Sequence, residues 1–308
     1  MSEDSKGVVY AALTGNVLVA ASKFVAATIS GSSAMLTEAV HSSADCVNQL
    51  LLLFGTHRSK KKGDRSHPFG YDGEVYFWAF VVAVMVLFAG GVVSIYQGVQ
   101  ELRHPHPINS FILSLSVLAV SAAFEGASLI VGYRASRRVI ARHPGDGKRV
   151  SMWRFIKLSK DPNMYESLLE DSAALIGIAL AAIGILGSAL LQALWMDAAA
   201  SIAIGLLLIA NSYVIANATR SLIAGEAVAP ALQTEIEDAL KRAGYEGRCS
   251  YLKSLHLGPN TIIIALSLFR HDQANDTPVV KQLEEVVTAV KRIDERIRHV
   301  FFAFRSDE

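Results

Sequence analysis

Charge is scarce in this chain. Asp, Glu, Lys and Arg make up 19% of its 308 residues, against about 25% in an ordinary soluble domain. The few charges nearly cancel, with 29 Lys and Arg against 28 Asp and Glu and a formal net charge of +1. That balance excludes a globally basic nucleic-acid binder and an acidic disordered chain. Cysteine is scarcer still. Cys46 and Cys249 stand far apart, which excludes a disulfide scaffold and a Cys-based zinc finger. No His-Glu-x-x-His stretch occurs, so a zincin-type metalloenzyme has no motif to rest on. What is abundant is apolar: 52% of residues are hydrophobic and the mean hydropathy is +0.34.

The charge-free runs are long. Between Glu74 and Glu101 lie 26 residues without Asp, Glu, Lys or Arg, between Asp171 and Asp197 there are 25, and between Asp197 and Arg220 there are 22. A membrane-spanning helix needs about 20 mainly apolar residues. Three further runs carry a few polar interruptions: 7–29 around Lys23, 32–56 around Glu38, His41 and Asp45, and 107–133 around Glu125. A soluble helical bundle would show a polar stripe on each helix, and Phe77–Gly98 and Ile176–Leu191 have none. The expectation is an integral, multi-pass α-helical membrane protein with six spans at about 7–29, 32–56, 74–100, 107–134, 164–190 and 195–220.

Loop charge predicts the orientation. The segment after span two holds Arg58, Lys60, Lys61, Lys62 and Arg65, and the segment after span four is equally basic, whereas the opposite connections offer only Arg103. The positive-inside rule puts both basic loops, and both termini, on the cytoplasmic or matrix side. No cleavable signal-peptide pattern precedes the first span.

After Arg220 the pattern changes. Ala231–Ala243 reads as a helix, and Tyr251–Leu257 and Thr261–Phe269 as strands around a Gly258-Pro259-Asn260 turn. Pro278–Arg296 reads as an amphipathic helix and His299–Phe304 as a last strand. This order predicts a small α+β domain over 222–308, following the transmembrane domain of 1–221.

Ionisable groups inside a span are costly and mark pathways or binding sites. Glu38, His41 and Asp45 follow i, i+3, i+7 spacing and share one helix face. A His-x-x-x-Asp pair there is either a buried hydrogen bond or two of the four ligands of a tetrahedral Zn²⁺ site. Span five opens Glu166-Ser167-Leu168-Leu169-Glu170-Asp171, with Asp171 at the head of its apolar run. Glu125, alone in span four, is either a structural partner for Lys23 or a proton-carrying group. Among the remaining histidines, His104 and His106 alternate with prolines as a rigid turn.

These residues together resemble the cation diffusion facilitator family of metal/proton antiporters, of the zinc transporter type. The likeness rests on Asn16 and Lys23, the stretch from Glu38 to Asp45, His67-Pro68-Phe69-Gly70-Tyr71, Leu169-Glu170-Asp171 and Asp197. Within the family it is nearest to the divergent branch that includes mitochondrial zinc exporters. That branch shares the Leu-Leu-Glu-Asp pattern at 168–171 and the stretch from Ser121 through Ala127.

The resemblance implies a transport site at mid-membrane between spans two and five, with two ligands from each. His41 and Asp45 fit. Asp171 fits too, but the position one turn earlier is Ser167, where the family usually has His or Asp, and a serine hydroxyl is a poor ligand for Zn²⁺. The implied ligand set is therefore His41, Asp45 and Asp171 with Glu170 or water, and His67 is a candidate for a secondary metal. One His with three oxygens suits Zn²⁺, Mn²⁺, Fe²⁺ or Co²⁺, with Zn²⁺ leading because the nearest relatives favour it. The resemblance further implies a ferredoxin-like C-terminal domain that dimerises the protein. His256, His271 and His299 do not match the positions where relatives bind zinc, so no regulatory metal is expected there.

The expected function is export of a divalent cation against protons by alternating access, from the cytoplasm or matrix. The partners are lipid, metal, protons and a second copy of the chain, with no nucleic acid and no cofactor. The membrane is a bacterial inner membrane, or a mitochondrial inner membrane if the source is eukaryotic. The alternatives are a non-transporting sensor or partner that kept the fold, favoured by Ser167, and an intramembrane metalloenzyme.

Overall fold

The computed structural model describes residues 3–141, 160–242, 249–270 and 276–306, with side chains over 13–137, 160–242, 252–267 and 283–303. Six long helices come first: α1 (Glu3–Ser30), α2 (Ser33–Ser59), α3 (Glu74–Arg103), α4 (Phe111–Ala141), α5 (Pro162–Leu191) and α6 (Trp195–Ile223). The C-terminal part adds α7 (Pro230–Leu240), β1 (Cys249–Gly258), β2 (Thr261–Arg270), α8 (Asp276–Ile293) and β3 (Ile297–Ser306). The chain divides into two compact units. One gathers the described parts of Met1–Gly55, Trp78–His143 and Pro162–Thr219, and the other those of Thr56–Phe77, Pro144–Asp161 and Arg220–Glu308. The loop Thr56–Phe77, which carries His67-Pro68-Phe69-Gly70-Tyr71, thus groups with the C-terminal residues.

Among the described residues, five helices are long and apolar enough to cross a membrane: α1 over Leu13–Ser30, then α3, α4 over Phe111–Arg137, α5 and α6. The length of α2 is sufficient at 27 residues. Its Glu38, His41, Asp45 and Asn48 lower its hydropathy below that of its neighbours. In the first unit, Ala26 and Ala27 of α1, Ala34 and Met35 of α2, Leu118 of α4, Ile178, Ala181 and Ile185 of α5 and Ile204 and Leu208 of α6 form the core. Large apolar side chains such as Leu18, Phe88, Val131 and Leu191 are exposed. Exposed apolar surface on that scale suits lipid rather than water.

α3 departs from a regular helix. Val86–Val92 forms a seven-residue π-helical segment. The Gly90 carbonyl within it accepts from Ser94 Oγ at 2.5 Å. Beyond it, α3 lies so close to α6 that a Cβ on Gly98 would sit 2.6 Å from Ile202 Cγ1 and 2.8 Å from the Ala198 carbonyl. Only glycine permits this approach, a common device where apolar helices pack inside a membrane.

In the second unit the sheet runs β1-β2-β3, with β1 and β2 antiparallel and β2 and β3 parallel. The hairpin turns at Pro259-Asn260, between Gly258 and Thr261, and α8 makes the crossover that a parallel pair requires. Ile262, Ile264 and Leu266 alternate along β2 and meet Ile236, Leu240, Val286 and Val290 of the two helices. α8 ends at Ile293, three residues before the expected Arg296. Asp294 explains the stop: its carboxylate accepts from the Arg296 backbone N–H at 2.9 Å and from the guanidinium at 2.6 Å, holding a turn that feeds β3. Among the described residues the order is helix–strand–strand–helix–strand.

The loop Thr56–Phe77 is built onto this unit. Asp72 accepts from the Asn260 N–H at 2.9 Å, and Phe69 packs edge-on against His299 and Phe301.

Candidate metal site

The site begins at the first turn of α2. Ser32 caps the helix, its Oγ accepting from Met35 N–H at 3.0 Å. Asp197, at the head of α6, adds a carboxylate that accepts from Ser32 Oγ (2.5 Å), Ser33 N–H (2.6 Å), Ser33 Oγ (3.0 Å) and Ala34 N–H (3.3 Å). A negative charge on the free N–H groups of a helix start is favourable, so Asp197 fixes where α2 begins. Thr37 and Ser201 add a second α2–α6 link at 2.6 Å.

One turn further, α2 meets α1. Lys23 is fully buried and donates to Glu38 Oε2 at 2.9 Å and Ser42 Oγ at 2.7 Å. The expected pairing of Lys23 with Glu125 is replaced by this one. Position 38 lies directly across from Lys23, so the ammonium is neutralised between α1 and α2. Glu125 is half-buried in α4. The other Glu38 oxygen points at α5, where a Cβ on Gly177 would lie 2.5 Å from it.

His41 and Asp45 follow on the same face. His41 is 1% exposed, and its Nδ1 lies 3.6 Å from Asp45 Oδ1. That is too long for a hydrogen bond. Among the described residues, both ring nitrogens of His41 and Oδ1 of Asp45 have no hydrogen-bond partner. A buried imidazole beside a half-buried carboxylate with one buried, unpartnered oxygen is an arrangement a cation or proton would complete.

α5 divides its acidic cluster between two neighbours. Glu170 accepts from Asn48 Nδ2 of α2 at 2.7 Å, while Asp171 accepts from Ser128 Oγ of α4 at 2.7 Å. Consecutive helix residues project about 100° apart, so the two cannot face one helix together. Ser167 is half-buried. Among the described residues, no three His, Cys, Asp or Glu side chains come close enough to hold one ion. His41 and Asp45 are neighbours in this conformation, and Glu170 and Asp171 are held apart from them.

Sequence reasoning missed three participants: Asn48, Gly177 and Glu166. Glu166 is fully buried, and among the described residues neither carboxylate oxygen has a partner. Its i, i+4 spacing to Glu170 was readable, but the Ser167–Asp171 pairing competed with it.

The other candidates lie apart. His67 is 55% exposed on its side chain, 3.9 Å from Asp64, and its ring lies 4.2 Å from that of Tyr71 at a tilt of 34°. Asp64 organises that loop. It accepts from Lys61, Tyr71 and the N–H groups of Ser66 and His67, and the Lys61 hydrogen bond, with the others, holds its carboxyl well below the usual range. His106 donates its backbone N–H to Glu101 at 2.7 Å, at the rim of a cavity of about 440 Å³ lined also by Gly31, Ser32, Gln97 and His104. In the second unit His256 is buried, and burial, with Lys160 and Arg296 adding to it, pushes its pKa down to about 4. His271 lies outside the described residues.

The sequence profile of the cation efflux transmembrane domain matches residues 9–223. The mitochondrial proton-coupled zinc antiporter SLC30A9 of Homo sapiens is 37% identical over 175 residues, 57% of this chain and 30% of that protein. Metal tolerance protein C4 of Arabidopsis thaliana is 35% identical over 180 residues, 58% of this chain and 38% of that protein. The manganese efflux system protein MneP of Bacillus subtilis is 28% identical over 181 residues, 58% of this chain and 56% of that protein. The matched region spans about a third of the length of the first two relatives.

Proposed function

The chain belongs to the cation efflux family, and from that premise we propose that it is a proton-coupled antiporter of divalent cations, with Zn²⁺ the leading substrate. The observation that carries this reading is the buried His41 beside the half-buried Asp45 on α2, with both ring nitrogens and Asp45 Oδ1 unpartnered among the described residues. α2 is the sixth span, its low hydropathy being the cost of carrying the site. The basic loops face the cytoplasm or matrix, and the C-terminal unit is a ferredoxin-like dimerisation domain that binds no regulatory metal.

Transport proceeds by alternating access. A cation entering from the basic-loop side meets His41 and Asp45, and Asp171 leaves Ser128 to join them, with Glu170 within reach as a fourth oxygen donor. Ligands must shed protons to hold metal, so metal and proton compete for the same atoms, and an inward proton gradient drives export. The mixed nitrogen and oxygen donor set also suits Mn²⁺, Fe²⁺ and Co²⁺, in keeping with relatives named for zinc and for manganese.

The test is metal-dependent proton flux in proteoliposomes across Zn²⁺, Mn²⁺, Fe²⁺ and Co²⁺. The wild-type chain transports at least one of them, and Asp45→Ala and Asp171→Ala abolish the flux. Retained transport in either variant overturns the site. A wild-type chain that binds metal without moving it is instead a non-transporting sensor, a reading favoured by the Ser128 hydrogen bond that holds Asp171 aside.

A further inference from the structure

Glu166 has no part in the mechanism above, yet it is among the costliest residues in the first unit. It is 0% exposed, and neither oxygen meets a donor among the described residues. A buried carboxylate without a partner is heavily penalised, and native structures retain few such groups without a reason.

Its surroundings supply more acceptors. Glu170 stands four residues on, about 6 Å along α5 and on the same face. Glu170 reaches Asn48 of α2 through the amide nitrogen. The Asn48 side chain is itself buried, and its Oδ1 has no partner among the described residues. Glu166 and Glu170 therefore present carboxylate oxygens, and Asn48 an amide oxygen, where α5 faces α2. This set is all oxygen and rich in acceptors, and a divalent cation would satisfy it.

We propose that Glu166, Glu170 and Asn48 form a second divalent-cation site, on the basic-loop side of His41 and Asp45. This inference rests on the transport reading and extends it. α5 enters from the basic-loop end, which places Glu166 ahead of Glu170 and Glu170 ahead of the His41 level. A cation arriving there is held by two carboxylates, an amide oxygen and its own remaining waters. Such oxygen-only coordination suits Mn²⁺ better than Zn²⁺, whereas the imidazole of His41 suits Zn²⁺. Glu170 belongs to both sites and hands the ion from one to the other. A requirement for two carboxylates in i, i+4 spacing also explains why span five tolerates Ser167.

The test uses the full chain in detergent or nanodiscs, with Mn²⁺ followed by loss of its free-ion paramagnetic signal and Zn²⁺ by equilibrium dialysis. Wild type binds two equivalents per chain. Glu166→Gln, which keeps the shape and removes the charge, loses the equivalent that prefers Mn²⁺, at least tenfold in affinity. It keeps the His41 equivalent for Zn²⁺. Asn48→Ser weakens the same equivalent and serves if Glu166→Gln does not fold. His41→Ala shows the converse loss. A wild-type chain with one equivalent, or a Glu166→Gln chain that binds Mn²⁺ as wild type does, overturns the second site and leaves the transport reading intact. A wild-type chain that neither binds nor moves any cation overturns both.

Discussion

The two ends of the polar face of α2 follow opposite rules. At its first turn every donor is matched: Asp197 takes two backbone N–H groups and two serine hydroxyls from Ser32, Ser33 and Ala34. Along its middle, Glu38 Oε1, both His41 nitrogens, Asp45 Oδ1 and Asn48 Oδ1 have no partner among the described residues. Burial does not separate the two, since Asp197 is 2% exposed and His41 1%. Hydrogen-bond accounting does. A saturated buried carboxylate holds helices together, whereas an unsaturated stripe is poised for a mobile positive charge.

The severest way to break this contrast is at the bridge between the two regions. Lys23→Met leaves Glu38 as an uncompensated charge and should cost about 3–5 kcal/mol, read as a large fall in melting temperature in detergent. Lys23→Met with Glu38→Gln should recover most of it. A single variant that melts like wild type would place the pair outside the stability of the bundle.

His256 offers a control, a buried histidine with an unpartnered Nδ1 in the other unit. Burial lowers its pKa in the folded protein to about 4 from the ordinary histidine value of about 6.5. The unfolded chain therefore binds the proton more readily. The stability that neutral His256 contributes is complete above about pH 6.5 and drains away as pH falls towards 4, on the order of 3 kcal/mol at the limit. His256→Phe should flatten that acid limb in pH-dependent unfolding and leave metal binding unchanged. An unchanged limb would remove His256 as its source.

Asp197→Ala comes next. It strips acceptors from the start of α2 and should cost about 2 kcal/mol, while flux per folded molecule persists. Lost flux in well-folded protein would move Asp197 from scaffold to pathway. Gly177→Ala is the mildest. Its new methyl meets Glu38, and overpacking of this kind costs about 1–2 kcal/mol. The expected signature is a small drop in melting temperature with a larger drop in flux, because α2 and α5 are pushed apart beside the site.

Much of this was legible in the sequence, for reasons that differ between regions. The long charge-free runs around α3, α5 and α6 admit only apolar helices, and period-two alternation at Ile262, Ile264 and Leu266 dictates β2. Spacing placed His41 beside Asp45, because i, i+4 residues share a face whatever the rest of the fold does. What spacing cannot give is the rotation of α5 about its axis. That angle decides whether Glu170 or Asp171 faces α2, and it is set by packing against α2 and α4 together. The partner of Lys23 was hidden for the same reason: Glu38 and Glu125 are both intramembrane carboxylates, and only the helix arrangement distinguishes them.

The π segment of α3 gives chain length itself a tolerance. A π turn carries one residue more than the α turn it replaces. Winding the same residues as a continuous α-helix, with none removed, would swing everything after Val92 by about 100°. Gly98 would turn away from Ala198 and Ile202, and a bulky neighbour would arrive in its place. A one-codon deletion within the segment should be tolerated, because an α turn then spans the same arc and Gly98 keeps facing Ala198 and Ile202. In this stretch a spare residue is stored in the helix itself rather than in a loop.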